Sequence, residues 1–261
     1  MQTEPANENI VTADTFPMPG KPEEQLRLMF GVESRTPFTD LLQNNLNLFE
    51  WVTRNKPYPN FCGRHLTGKN PLTKEEIHFL HLKGCKIALI CDQRDIPEAA
   101  DDMPAFVRKI GDITEELGIP YGTAIFLDVR EEYGMTTANL REYASGILEL
   151  GYIPGFKADT DAKYSFDREY SRGVRNFADA FAPCLVWANT PVLKEYDRIT
   201  TTHTIPPENW IPYAPSGITR NQIALWQYGE NCHPIEDDHG IETVFNVILV
   251  RNEYIIIDRM F

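Results

Sequence analysis

The chain has 261 residues, 42% of them apolar and 11% aromatic, with 25 Lys+Arg against 38 Asp+Glu and a formal charge of -13. That length buries enough surface to hold a core without disulfide or metal staples. The acidic balance opposes a phosphate backbone and excludes nucleic acid as an expected partner.

No run approaches the roughly 18 apolar residues of a membrane-spanning helix. The opening stretch Met1 to Gly20 is acidic and polar where a Sec signal is basic and then apolar, so synthesis in the cytoplasm without such a signal is expected, with action at the cell envelope by another route left open. The cysteines, Cys62, Cys85, Cys91, Cys184 and Cys232, show no CxxC spacing and several sit in apolar runs, which reads as reduced core thiols. Residues 1–45 carry Pro5, Pro17, Pro19, Pro22 and Pro37, with a short helical stretch at Glu23–Phe30, and read as an N-terminal arm suited to a protein assembly partner.

From residue 46 a regular alternation begins. Apolar runs at Leu46–Trp51, Phe61–Leu66, Lys86–Cys91, Thr123–Val129, Ile153–Ala158, Cys184–Asn189, Trp210–Tyr213 and Ile223–Tyr228 read as strands. Helical spacing marks Thr73–Leu82, opened by a Thr73/Glu76 capping box, and Met103–Leu117, Thr137–Leu150, Asp167–Phe181 and Pro191–Ile199. Gly84, Gly118 and Gly151 stand where left-handed C-caps belong. Continuous apolar strands alternating with helices predict an α/β fold, an irregular (β/α)8 barrel over residues 46–230. Residues 231–261 then form a polar loop and a C-terminal β-hairpin of Thr243–Val250 and Tyr254–Met260.

Barrels of this kind place chemistry at the C-terminal ends of their strands. The groups there include Glu50, Arg64, Asp92, Asp128, Glu131, Glu132, Lys157, Asp159, Asn189, Tyr213 and Gln227, with rings from Trp187, Trp226 and Tyr228. Carboxylates and amides accept sugar hydroxyls while aromatic faces meet sugar C–H groups, so a saccharide is the expected ligand. Glycoside cleavage takes a protonated carboxyl and a second carboxylate, for which Asp128 with Glu131 or Glu132, and Glu50 or Asp92 across the mouth, are the candidates. Arg64, Lys157, Asp159, Asn189, Tyr213 and Gln227 would bind substrate, with Trp187, Trp226 and Tyr228 as the sugar platform. No cofactor and no resident metal are expected. Asn231–His239 mixes Cys, His and carboxylates, but its spacing matches no metal pattern and a polar loop is the simpler account.

The ordered segments Phe-Cys-Gly-Arg-His-Leu, Leu-Thr-Lys-Glu-Glu, Gly-Cys-Lys-Ile-Ala-Leu-Ile, Gly-Ile-Pro-Tyr-Gly-Thr-Ala-Ile-Phe-Leu-Asp-Val and Leu-Trp-Gln-Tyr resemble the glycoside-hydrolase-like barrels related to family 25 lysozymes. Those lysozymes cleave the muramyl bond of peptidoglycan. The resemblance implies a carboxylate ending strand one, here Glu50, and an Asp-x-Glu ending strand four, here Asp128-Val129-Arg130, so Arg130 stands in the place of the general acid. An acid expected on strand six is Asn189. Two uses of the mouth therefore follow: binding or cleaving a cell-wall glycan by carboxylate acid/base chemistry, or a catalytically degenerate barrel with an assembly role in an envelope-associated or phage-like particle.

Overall fold

In the computed structural model, the described residues are 28–42, 45–92, 94, 102–193, 207–234, 243–251 and 255–261. The strands are β1 (Leu28–Glu33), β2 (Phe61–His65), β3 (Lys86–Asp92), β4 (Ala124–Val129), β5 (Ile153–Ala158), β6 (Leu185–Asn189), β7 (Ile223–Cys232) and β8 (Phe245–Arg251). They close in sequence order into a barrel. Neighbours from β1 to β7 run parallel, while β8 lies antiparallel between β7 and β1.

The helices are α1 (Leu48–Asn55), α2 (Lys74–Leu82), α3 (Met103–Leu117), α4 (Thr137–Glu149), α5 (Ser165–Asn176) and α6 (Ala178–Phe181). α2, α3 and α4 fall where helical spacing puts them, and Thr73 caps α2 by accepting from Glu76 N. The amphipathic segment Asp167–Phe181 is broken at Phe177, whose φ of -140° leaves the helical region. α3 ends at Gly118, where φ of 69° demands a residue without a Cβ penalty. No helix among the described residues is long and apolar enough to cross a membrane. None of the five cysteines is in a disulfide, and all but Cys184 are buried.

Four expectations need correction. Leu46–Trp51 is not strand one: Leu48, Phe49, Trp51 and Val52 are spaced for a helix and bury one face of α1. Asn47 and Glu50 form its capping box, with Asn47 Oδ1 accepting from Glu50 N at 2.8 Å and Glu50 Oε2 accepting from Asn47 N at 3.1 Å. The first barrel strand lies instead inside the stretch read as an arm, and residues 1–27 of that stretch lie outside the described residues. Trp210–Tyr213 is irregular: Pro212 has no N–H to give a sheet, and Ile211 and Tyr213 on either side of it are exposed. The expected hairpin is also replaced: Phe245–Arg251 closes the barrel, and Ile255–Arg259 forms a 3-10 turn. The barrel strands thus extend from residue 28 to residue 251.

Inside the barrel the rings of Phe61, Phe126 and Trp187 belong to one apolar cluster, with Trp187 edge-on to Phe126 at 5.5 Å. Two glycines make room for them. A Cβ at Gly31 would come within 2.2 Å of the Phe61 ring, and one at Gly155 within 2.4 Å of Phe126.

Candidate functional site

Side chains two residues apart on a strand share a face. The interior layer of Ile90, Phe126 and Trp187 is therefore followed, one step toward the strand ends, by Asp92, Asp128 and Asn189. The same step gives Glu33 after Gly31 on β1, His65 after Gly63 on β2 and Lys157 after Gly155 on β5. Gln227 follows Leu225 on β7, and on the antiparallel β8 Asn246 comes two residues before Ile248. Each strand contributes one polar group to a ring over the apolar interior.

Ion pairs knit half of this ring together. Glu33 receives His65 Nε2 at 2.8 Å, Lys157 Nζ at 3.2 Å and the amide of Asn246. Burial alone would push its carboxyl up, but Lys157, His65 and Asn246 outweigh burial and hold it well below the usual 4.5. His65 is lowered by burial, more than Glu33 can compensate, so its ring is neutral. Lys157 Nζ also lies 3.9 Å from Asp128 Oδ1 and 5.4 Å from the Trp187 ring centre.

The adjoining carboxylates are bound just as closely. Asp128 takes Arg35 Nη2 and Arg130 Nη2, each at 3.2 Å. Arg35 reaches Asp92 with its other terminal nitrogen. Arg94 grips Asp92 through Nη2 at 2.6 Å and Nε at 3.0 Å. Burial raises the Asp92 carboxyl, yet the Arg94 bonds and the Arg35 charge hold it far below the normal range.

Asp159, just beyond β5, behaves differently. Burial and the neighbouring Glu230 raise its carboxyl to about 6 against the opposing pull of Arg130. It accepts Asn189 Nδ2 at 3.0 Å, and Asn189 Oδ1 accepts Gln227 Nε2 at 2.8 Å. Two contiguous hollows of about 110 and 290 Å³ share Asp159, Asn189 and Glu230. Asp128, Glu132, Lys157, Gln227 and Asn246 line the first, and Tyr164, Ile211 and Tyr213 the second.

The raised carboxyl has a consequence for stability. The unfolded chain releases this proton near the ordinary 3.8 and the folded chain near 6, so folding loses stability as pH rises through that window. Asp159→Asn is therefore expected to be more stable than wild type at pH 7 to 8, by about 1 kcal/mol after allowance for solvent screening at this half-exposed site. The difference should vanish near pH 4. Thermal melts at the two pH values check this.

The structure gathers Asp92, Asp128, Lys157, Asp159, Asn189, Tyr213, Gln227 and the exposed Glu132 at the mouth, and sends other candidates elsewhere. Glu50 belongs to the α1 cap. Glu131 lines the first hollow, but its carboxylate is committed: Oε2 accepts Ser165 N at 2.8 Å and Ser165 Oγ at 2.7 Å, satisfying the first turn of α5 where its own cap residue offers no side-chain bond. Arg64 is wholly buried outside the ring, bonded to Glu76 and to the carbonyls of Ser34, Arg35 and Asn70. Trp187 lies beneath Lys157 in the interior. An extra residue in β7, where Val186 pairs with Ile223 but Trp187 with Leu225, turns Trp226 outward. There it packs against Tyr228 and donates to Thr190 O, so neither ring is open to a sugar.

Sequence reasoning passed over Glu33, Arg35, Arg94 and Asn246 as site residues, and placed His65 among the strand-end polar groups without giving it a role. The alternation Met29, Gly31, Glu33 is the signal that would have found the first. No group of His, Cys, Asp and Glu among the described residues is arranged to hold a metal ion, and residues 235–239 of the His233–His239 loop lie outside the described residues.

The closed strand order and its ion-paired mouth define a (β/α)8-like barrel protein. No protein-family model matches the chain, and no curated protein matches it. Among solved structures, an uncharacterized B. stearothermophilus protein aligns at a TM-score of 0.69 and 21% identity, over 89% of this chain and 100% of that one. The catalytic domain of endolysin ply40 from bacteriophage P40 of Listeria monocytogenes aligns at 0.48 and 14%, over 89% and 97%. A family GH25 lysozyme from Aspergillus fumigatus aligns at 0.45 and 11%, over 87% and 95%. The likeness at these identities is one of fold.

Proposed function

We propose that this barrel binds a cell-wall glycan in the hollows around Asp159 without cleaving it. The observation that carries this reading is the neutralisation of Asp92, Asp128 and Glu33, each held by cations of the ring. Direct glycoside cleavage takes one carboxyl that can give a proton and a second that acts on the opposite face. At the place of the resembled family's acid stands Arg130, which cannot serve as a proton donor at working pH and binds Asp128.

Binding asks less. Asp159, Asn189 and Gln227 offer acceptors and donors for hydroxyls, and Tyr164 and Tyr213 offer ring faces. The sequence resemblance makes peptidoglycan the saccharide to test. In co-sedimentation with insoluble peptidoglycan, wild type is expected in the pellet, and Tyr213→Ala, on an exposed side chain, should weaken binding about tenfold, or ~1.4 kcal/mol. Equal sedimentation of the variant would remove Tyr213 from the binding surface, and an empty wild-type pellet would overturn the reading.

Cleavage by a different acid is the second reading, favoured by the Asp159 carboxyl at about 6. It requires release of reducing ends that declines above pH 6 and disappears in Asp159→Asn.

A further inference from the structure

On the other side of Asp92 the mouth opens into a cavity of about 480 Å³, of a size that accepts small molecules. Although the chain carries a net charge of -13, this wall presents Arg35, Lys69 and Arg94, with Asp40 as its lining carboxylate. Arg35 and Arg94 are engaged with buried Asp92. Arg94 Nη1 and the exposed Lys69 Nζ take neither a hydrogen bond nor an ion pair among the described residues.

His65 supplies the second observation. It lines the cavity at 1% exposure, its Nε2 is committed to Glu33, and its Nδ1 has no hydrogen-bond partner among the described residues. A neutral ring that donates Nε2–H to an ionised Glu33 leaves a lone pair on Nδ1. Such a buried acceptor calls for a donor.

One ligand meets both demands if it carries an O–H for His65 and an anion for the cations. We propose that this cavity is a subsite for an acidic sugar, in which His65 Nδ1 accepts a hydroxyl proton while Lys69 and Arg94 hold the carboxylate of the same unit. The assignment of a sugar rests on the glycan reading above; the demand for a hydroxylated anion rests on the cavity itself. Inorganic phosphate at neutral pH also carries an O–H beside its anionic oxygens, so it is the competing ligand that the test must separate from the sugar acid.

The test titrates the full chain with D-glucuronate, D-glucose and inorganic phosphate, following heat and the side-chain 15N resonances of His65. Glucuronate is expected to bind at least tenfold more tightly than either control and to move the Nδ1 resonance. Lys69→Glu, a change on an exposed and unpaired side chain, should weaken glucuronate at least tenfold. Binding unaffected by Lys69→Glu, an Nδ1 resonance that stays in place, or phosphate binding as well as glucuronate would each overturn the proposal. Glucuronate that binds a protein unable to sediment with peptidoglycan would leave the subsite standing and remove the cell-wall reading. Sedimentation without glucuronate binding would do the reverse.

Discussion

Glu33→Gln is expected to lower the stability of the fold by about 3 kcal/mol, because it takes the nearest negative charge from Lys157, an ammonium only 3% exposed. The lower end of the range for broken buried pairs applies, since Asp128 Oδ1 stays 3.9 Å from Nζ. For a chain of this size that is a fall in Tm of roughly 6–12 °C. Lys157→Met in the same background should recover most of the loss, because the uncompensated charge then disappears with the side chain. The pH dependence carries its own sign. Glu33 titrates well below 4.5 when folded, so its contribution is present above the unfolded value and is lost as pH falls through the folded one. Chemical denaturation of the two single variants and the double variant measures the coupling directly. A coupling near zero would mean that the ring contributes little to holding β1 against β5.

The second large effect is at Arg64, which has no exposed surface. Its guanidinium bonds Glu76 Oε1 at 2.8 Å, Ser34 O at 2.7 Å and Asn70 O at 2.9 Å. Met fills most of the same volume but donates nothing, so Arg64→Met leaves a buried carboxylate and three carbonyls, of Ser34, Arg35 and Asn70, short of partners. About 3–5 kcal/mol of destabilisation is expected. The effect extends to the mouth. Arg64 Nη1 also reaches the carbonyl of Arg35 at 3.2 Å and so holds the backbone from which Arg35 spans Asp92 and Asp128. Thermal unfolding gives the cost, and partial recovery in Arg64→Met/Glu76→Leu would trace it to the stranded carboxylate. A loss under about 1 kcal/mol would contradict this account.

Much of the barrel is legible in the sequence, for a physical reason. Strands such as Lys86–Asp92 and Ala124–Val129 are covered on both faces and read as apolar runs with a carboxylate, Asp92 or Asp128, at or one residue before the end. β1 does not announce itself in that way. It follows a proline-rich stretch and carries Gly31, whose missing side chain is explained only by the Phe61 ring lying against it. Leu46–Trp51 misleads in the opposite sense, because an apolar run hides the Asn47/Glu50 cap that starts a helix.

The site divides along the same line. Asp92, Asp128, Lys157 and Gln227 are visible as strand ends, whereas Glu33 is hidden with its strand. Arg35 meets Asp92 across 57 residues of sequence, a distance at which spacing carries no information. The tryptophans show how far one residue can move a side chain. Trp226 would face the mouth in a regular β7, and the extra residue beside Val186 turns it to the outside.

The most direct test of binding without cleavage uses a single sample. Purified peptidoglycan is incubated with wild type and with Asp159→Asn at pH 5 and pH 7, the pellet is assayed for bound protein and the supernatant for new reducing ends. The account predicts protein in the pellet and no reducing ends above the protein-free control at either pH. Reducing ends released by wild type and absent with Asp159→Asn would contradict it, and would make Asp159 the acid of a glycoside hydrolase.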